Sequence, residues 1–180
     1  MMFTKTLGIA AAFATMASAL PSGMMVKRND TVPASGSVLI TNTLDKDVYA
    51  WSVSQDVGPM QIIKSNGGTY SEPWQINPNG GGISIKIATD PSQADVLQFE
   101  YTQAIDTIFW DLSCINMGSD SEFTKYGFAV LPSEGASDSC PSAICTAGDA
   151  NCASAYLQPT DDHATHGCPI DTGLALTIGQ

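Results

Sequence analysis

Between residues 37 and 113 five short runs, "SVLITN" (37–42), "DVYAWSVS" (47–54), "GGISIKIAT" (81–89), "VLQFEYTQ" (96–103) and "TIFWDLS" (107–113), alternate apolar and polar side chains. A period of two sends one set of side chains to each face of a strand, and the enrichment in Val, Ile, Tyr, Phe and Trp suits a half-buried pleated surface. The connections "QDVGP", "KSNGGTYSEP", "NPNGGG" and "TDPSQAD" are built from Gly, Pro, Asn and Asp. Such residues turn short antiparallel strands back on themselves rather than opening crossover helices. Two more strands are expected at "YGFAVLP" (126–132) and "LALTI" (174–178), with a turn or two of helix near "DANCASAYL" (149–157). The pattern predicts an all-β chain folded as an antiparallel β-sandwich.

The first nineteen residues carry Lys5, an apolar run from Leu7 to Ala17, and small residues at Ala17 and Ala19. This is the layout of a secretory signal peptide, and the run is too short to cross a bilayer. The expected destination is outside the cell or in the cell wall. Lys27-Arg28, the only adjacent basic pair, either ends a propeptide over residues 20–28 or is a chance pair in a flexible leader. Asn29-Asp30-Thr31 is an N-glycosylation sequon at the start of the expected domain, residues 29–180. Without residues 1–28 the chain holds four lysines against eighteen acids, a net charge of −14. Such a field excludes nucleic acid and anionic membranes as partners and suits cations, neutral sugars or basic proteins.

Five cysteines in a secreted chain imply disulfides with one thiol left over. Four of the five fall between Ser133 and Asp171, a stretch poor in large apolar residues. It cannot pack a core of its own, and is expected as a disulfide-stapled excursion laid on the sandwich.

The blocks "FEYTQAIDTIFWDLSCINMG" and "CASAYLQPTDDHATHGCPIDTGLALTI" resemble the thaumatin-like proteins, specifically their small fungal branch of yeast-phase-specific secreted proteins. That family carries a Glu in an "AEF" or "AEY" strand, then "FYDVS" or "FWDIS", then a C-terminal block with "AYSY" and "DD". Here the matching residues are Phe99-Glu100-Tyr101, the run Phe109 to Ser113, and the run Cys152 to Cys168. The resemblance covers about Gly36 to Gln180 and implies a thaumatin-like β-sandwich with a short disulfide-stapled loop region. By the family's spacings it also implies that Cys140 pairs with Cys168 and Cys145 with Cys152. Cys114 is left as the free thiol, expected as a small buried hydrophobe. Only six residues, "TAGDAN", separate Cys145 from Cys152, so the large second domain of the plant proteins is reduced to a loop. Leu44 and the cysteine-free "LALTIGQ" replace both halves of a terminal disulfide.

Plant members have an acidic cleft, and carried over position by position it becomes Lys86, Glu100, Asp111, Asn116 and Asp161 or Asp162. An Arg is replaced by Lys86 and one acid by Asn116. Converging carboxylates either cleave a glycosidic bond or merely bind hydroxyls or a cation. With one acid and the facing domain gone, desolvation is expected to be too weak to raise a carboxyl pKa. No catalytic residue is assigned. The expected role is non-enzymatic binding of cell-wall polysaccharide such as β-glucan through an acidic groove; the alternatives are a secreted effector or antigen that binds an extracellular protein, and a weak β-1,3-glucanase. On residue chemistry alone, Glu100 and Asp111 equally fit solvated or backbone-bonded acids.

His163 and His166, three apart beside Asp161 and Asp162, are candidate ligands for zinc or copper, but a loop does not force them to converge. They are expected as solvated loop histidines. No nucleophile elbow, phosphate loop, nucleotide fingerprint or basic aromatic patch is present, so no cofactor is expected. A monomer is expected. Of the aromatics, Trp51 and Tyr101 are expected in the core, while Tyr70 and Trp74 in "GGTYSEPWQ" are candidates to stack on a sugar.

Overall fold

The structure, a computed structural model, describes residues 36–133 and 136–180. The signal peptide over 1–19, the propeptide over 20–28 and the Asn29 sequon lie outside the described residues.

Two sheets face each other across the main core, while Trp51, expected in it, packs with Ala88 and Val96 in a small separate cluster because register places it opposite Lys86 on the outward face. The first has five strands in the order β4 (Gly68–Pro73), β1 (Ser37–Asn42), β11 (Gly173–Ile178), β8 (Phe128–Pro132) and β9 (Ala143–Cys145). The second has six, in the order β10 (His166–Pro169), β7 (Thr107–Ser113), β6 (Val96–Gln103), β5 (Ile83–Ala88), β2 (Val48–Val53) and β3 (Gln61–Ile63). The seven strands expected from the sequence are all present. β3, β4, β9 and β10 are additional, because short or polar-rich segments lack a readable period and are strands only through their neighbours. The expected antiparallel pairing holds except between β1 and β11, which run parallel at the centre of the first sheet. A parallel pair needs a long crossover, and here the rest of the sandwich supplies it.

The alternation fixes the core. Ile83, Ile85 and Ile87 on β5, Leu97, Phe99 and Tyr101 on β6, and Ile108, Trp110 and Leu112 on β7 all point inward and are buried. Phe99 and Trp110 stack with their ring centroids 6.0 Å apart. Each such side chain contributes about 1.5–3 kcal/mol by leaving water. The intervening residues of the same strands therefore face outward, and they form the site described below.

The stretch from Ser133 to Asp171 is more than an excursion on the surface. It supplies β9 to one edge of the first sheet and β10 to one edge of the second. Cys140 is bonded to Cys168 and Cys145 to Cys152, and all four are buried within the main core together with Ala143 and Ala155. Small residues suffice because strand pairing and the disulfides, rather than bulk, hold this region. Residues 149–157 form turns and no helix, and Tyr156 instead bridges to Ser113. The α-helix lies elsewhere, at α1 (Glu122–Tyr126), where the Ser121 hydroxyl caps the Phe123 amide at 3.2 Å and Phe123 is buried. Gly127 ends it at φ 74°, ψ 168°, a region open essentially to glycine alone.

Two polar clusters tie strands together. The Thr43 hydroxyl donates to the carbonyls of Ile178 at 2.9 Å and Gly179 at 2.6 Å, holding the end of β11 to the end of β1. Glu72 on β4 is buried and accepts from the hydroxyls of Tyr70 (2.5 Å), Tyr101 (2.7 Å) and Ser52 (3.1 Å), so one carboxylate joins the two sheets.

Candidate functional site: a polar groove on the six-stranded sheet

The outward residues of β5, β6 and β7 form the floor of an open groove of about 540 Å³. Register sorts them into three cross-strand rows. Lys86, Gln98 and Ser113 make the first. Ser84, Glu100 and Asp111 make the second. Thr102, Phe109 and Gly167 make the third. Val53 and Ser54 border the groove on the β2 side, and Thr165, just before β10, borders it on the other.

In the first row Lys86 Nζ donates to Gln98 Oε1 at 2.6 Å. The Gln98 amide donates in turn to Ser113 Oγ at 3.2 Å and Asn116 Oδ1 at 3.3 Å. Lys86 forms no ion pair with a carboxylate among the described residues.

In the second row Glu100 and Asp111 are direct register partners on neighbouring antiparallel strands. Side chains in that relation lie about 5 Å apart at Cβ, and like charges there repel. Asp111 Oδ1 is buried and has no hydrogen-bond partner. Burial, and after it the charge on Glu100, pushes the Asp111 carboxyl up from 3.8 to about 7. This corrects the expectation that losing the second domain would leave desolvation too weak. Asp111 needs no second domain, because it is set on β7 between β6 and β10, with Thr165 and Tyr156 close by.

The remaining site residues are placed differently. Asn116 is exposed and reaches the groove only through Gln98. Asp161 turns into its own loop, where Oδ2 accepts from the amides of Leu157 (3.0 Å) and Gln158 (2.9 Å). Asp162 Oδ1 accepts from the Tyr156 hydroxyl at 3.3 Å, and that hydroxyl also contacts Thr165 Oγ1 at 2.6 Å, so Asp162 touches the groove rim at second hand. His163 is exposed in a short 3-10 turn over Asp162–Ala164. His166 is on β10 against Trp110, with ring centroids 4.5 Å apart, and burial holds its imidazole below the usual range. No group of three His, Cys, Asp or Glu side chains converges among the described residues. Cys114 is half-buried, and burial, then the charge on Asp95, pushes its thiol up to about 12.

Neither aromatic singled out in "GGTYSEPWQ" faces the groove. Trp74 packs against Phe99 and Tyr101, and Tyr70 is bonded to Glu72. Of the aromatic residues that line it, Tyr101 and Trp110 are buried and Phe109 is exposed, at 46%. A signal for it existed in the sequence: Phe109 shares the outward parity of Asp111 in "TIFWDLS".

The chain matches the family described as Blastomyces yeast-phase-specific protein over residues 26–180. It is 42% identical over 179 residues to the secreted thaumatin-like protein calA of Emericella nidulans, covering 99% of this chain and 98% of that protein. It is 43% identical over 143 residues to the antigenic thaumatin-like protein of Arthroderma benhamiae, covering 79% and 70%. Among solved structures it is similar to the protein elicitor MoHrip2 from Magnaporthe oryzae, with a TM-score of 0.64, 19% identity and coverage of 80% and 98%. It is also similar to the thaumatin-like xylanase inhibitor TLXI, with a TM-score of 0.50, 11% identity and coverage of 78% and 97%. No helix among the described residues is long and apolar enough to cross a membrane. With its two-sheet sandwich and these relatives, the chain belongs to the yeast-phase-specific family and is a secreted fungal thaumatin-like protein.

Proposed function

We propose that this protein binds cell-wall polysaccharide, β-glucan foremost, in the groove of Lys86, Glu100 and Asp111, without cleaving it. The observation that carries this is the buried, unpartnered Oδ1 of Asp111 beside Glu100 on an open floor of hydrogen-bonding groups. A buried polar atom without a partner is costly, and a turn of the Asp111 carboxyl that brings Oδ1 to a ligand hydroxyl relieves that cost. Ser84, Thr102 and Thr165 add neutral donors and acceptors suited to sugar hydroxyls.

Asp111, held partly protonated near neutral pH, and Glu100 supply the types of group that a glycosidase needs. Side by side on one sheet face, they are also spaced as the close carboxyl pair of a retaining glycosidase is, so the sugar-release arm of the assay below separates binding from cleavage.

A second role, docking an extracellular protein, is supported by Val57, Met60 and Ile62. They are 64%, 44% and 48% exposed on and before the edge strand β3. The relatives named as an antigen, an elicitor and a xylanase inhibitor are consistent with such a role without specifying a partner.

The test is co-sedimentation of the mature protein with insoluble β-1,3-glucan, chitin and whole fungal cell wall, with reducing sugar assayed in the supernatant. The expected result is selective retention on glucan without sugar release, lost in Glu100→Ala/Asp111→Ala. Retention on none of the three overturns the polysaccharide assignment in favour of a protein partner; release of sugar that the double variant abolishes overturns the non-enzymatic one.

A further inference from the structure

The third row of the groove differs in kind from the other two. It contains no charged side chain, and Phe109 stands in it between Thr102 on one side and Gly167 on the other. Gly167 does not adopt a positive φ, so its backbone does not require glycine. A Cβ built there would lie 3.5 Å from Phe109 Cε1 and 3.6 Å from Cδ1, in ordinary contact with the ring. Any longer side chain at Gly167 would therefore lie over Phe109 and hide it. Gly82, which lines the same end, likewise lacks a side chain, and a Cβ there would come within 2.9 Å of Thr102 Oγ1. The missing side chain at Gly167 thus leaves space beside a ring that is 46% exposed next to the carboxylate row.

A ring exposed by itself means little, because single apolar residues are common on surfaces. What distinguishes Phe109 is that it is two residues along β7 from Asp111, on the same face, in a groove whose other accessible side chains, Val53 apart, carry hydrogen-bonding groups. Two residues of strand are about 7 Å, and the whole floor from the Lys86 row to the Phe109 row is about 13 Å. That length exceeds one pyranose ring. A pyranose has an apolar face of C–H groups and a rim of hydroxyls, which matches an aromatic face flanked by carboxyl and amide groups.

We propose that Phe109 is the stacking platform of a second subsite, so that the groove recognises at least two linked sugar rings, one hydrogen-bonded at Glu100 and Asp111 and the next lying on the phenyl face that Gly167 leaves open. This rests on the polysaccharide assignment above and adds to it the minimum ligand and the residue that selects it. A monosaccharide fills only one subsite, and a polymer whose apolar ring face is blocked by substituents loses the stack.

The experiment measures binding of soluble β-1,3-linked glucose oligomers, from one to five units, to the mature protein by titration calorimetry. The variants are Phe109→Ala, Phe109→Tyr and Gly167→Leu. For the wild type, affinity should rise steeply from one unit to two or three. Phe109→Ala removes the platform and Gly167→Leu covers it, and each should weaken binding of the trimer about tenfold, the size of one good ring contact. Phe109→Tyr should keep wild-type affinity, which a loss of folding would not allow. Wild-type affinity for the trimer in both Phe109→Ala and Gly167→Leu, with sensitivity to Glu100→Ala retained, overturns the platform and leaves the polysaccharide groove standing. No binding of any oligomer by the wild type overturns both.

Discussion

Asp111→Asn removes a charge that the folded protein accommodates poorly. Burial and the facing Glu100 hold the Asp111 carboxyl at about 7 against 3.8 for the ordinary side chain. Between those two values the folded state keeps the proton that the unfolded chain has released. The unfolded state then binds fewer protons, so stability falls as pH rises through the window and the full penalty is present above about pH 7. At 1.36 kcal/mol per pH unit, a separation of about three gives a ceiling of about 4 kcal/mol, which solvent access to this open groove reduces to about 2 kcal/mol. Asparagine cannot ionise. The variant should therefore match the wild type near pH 4 and exceed it at pH 8 by about 2 kcal/mol, or about 4–8 °C in Tm for a domain of this size. The assay is thermal melting followed by circular dichroism from pH 4 to pH 8 for wild type, Asp111→Asn and Glu100→Gln. Taking the difference between curves cancels every other acid. Glu100→Gln removes only the smaller of the two causes and should give a partial effect of the same sign. A wild-type minus Asp111→Asn difference that is flat across pH 4–8 would refute the burial argument.

Loss of the Cys140–Cys168 bridge, which closes a separation of 28 residues, should cost about 3.5 kcal/mol, and loss of Cys145–Cys152, which closes 7, about 2.5 kcal/mol, read from urea melts of paired Cys→Ser variants. The reverse order would count against the loop-entropy account. Cys114, with its thiol pushed up to about 12, should resist iodoacetamide at pH 7.5 in the native protein and react promptly in denaturant. Native labelling at the rate of an unhindered thiol would contradict that burial. Gly127→Ala places a Cβ 2.8 Å from the Ala147 amide nitrogen and the Cys145 carbonyl in a glycine-only backbone region, and should cost about 3 kcal/mol in the same urea melts. A loss below 1 kcal/mol would mean that the turn relaxes freely.

The sequence by itself determined the parts of this protein that depend on local rules. Alternation in "GGISIKIAT", "VLQFEYTQ" and "TIFWDLS" assigned Ile85, Phe99 and Trp110 to the core, and with them the outward parity of Lys86, Glu100 and Asp111. The Gly- and Asn-rich turns set the sandwich class, and the order of the family's blocks named the acids of the groove. The tertiary structure decided what depends on register. A strand's inward and outward sets are local properties, but which outward residue faces which is set by pairing between segments far apart in the chain, and a slip of one residue would exchange the faces. Register alone puts Glu100 opposite Asp111 and Gly167 beside Phe109. It also makes edge strands of β9 and β10, whose residues carry no period to announce them. Asp111 owes its raised pKa, and Phe109 the space beside its ring, to neighbours on other strands; neither property can be read from the strand that carries both residues.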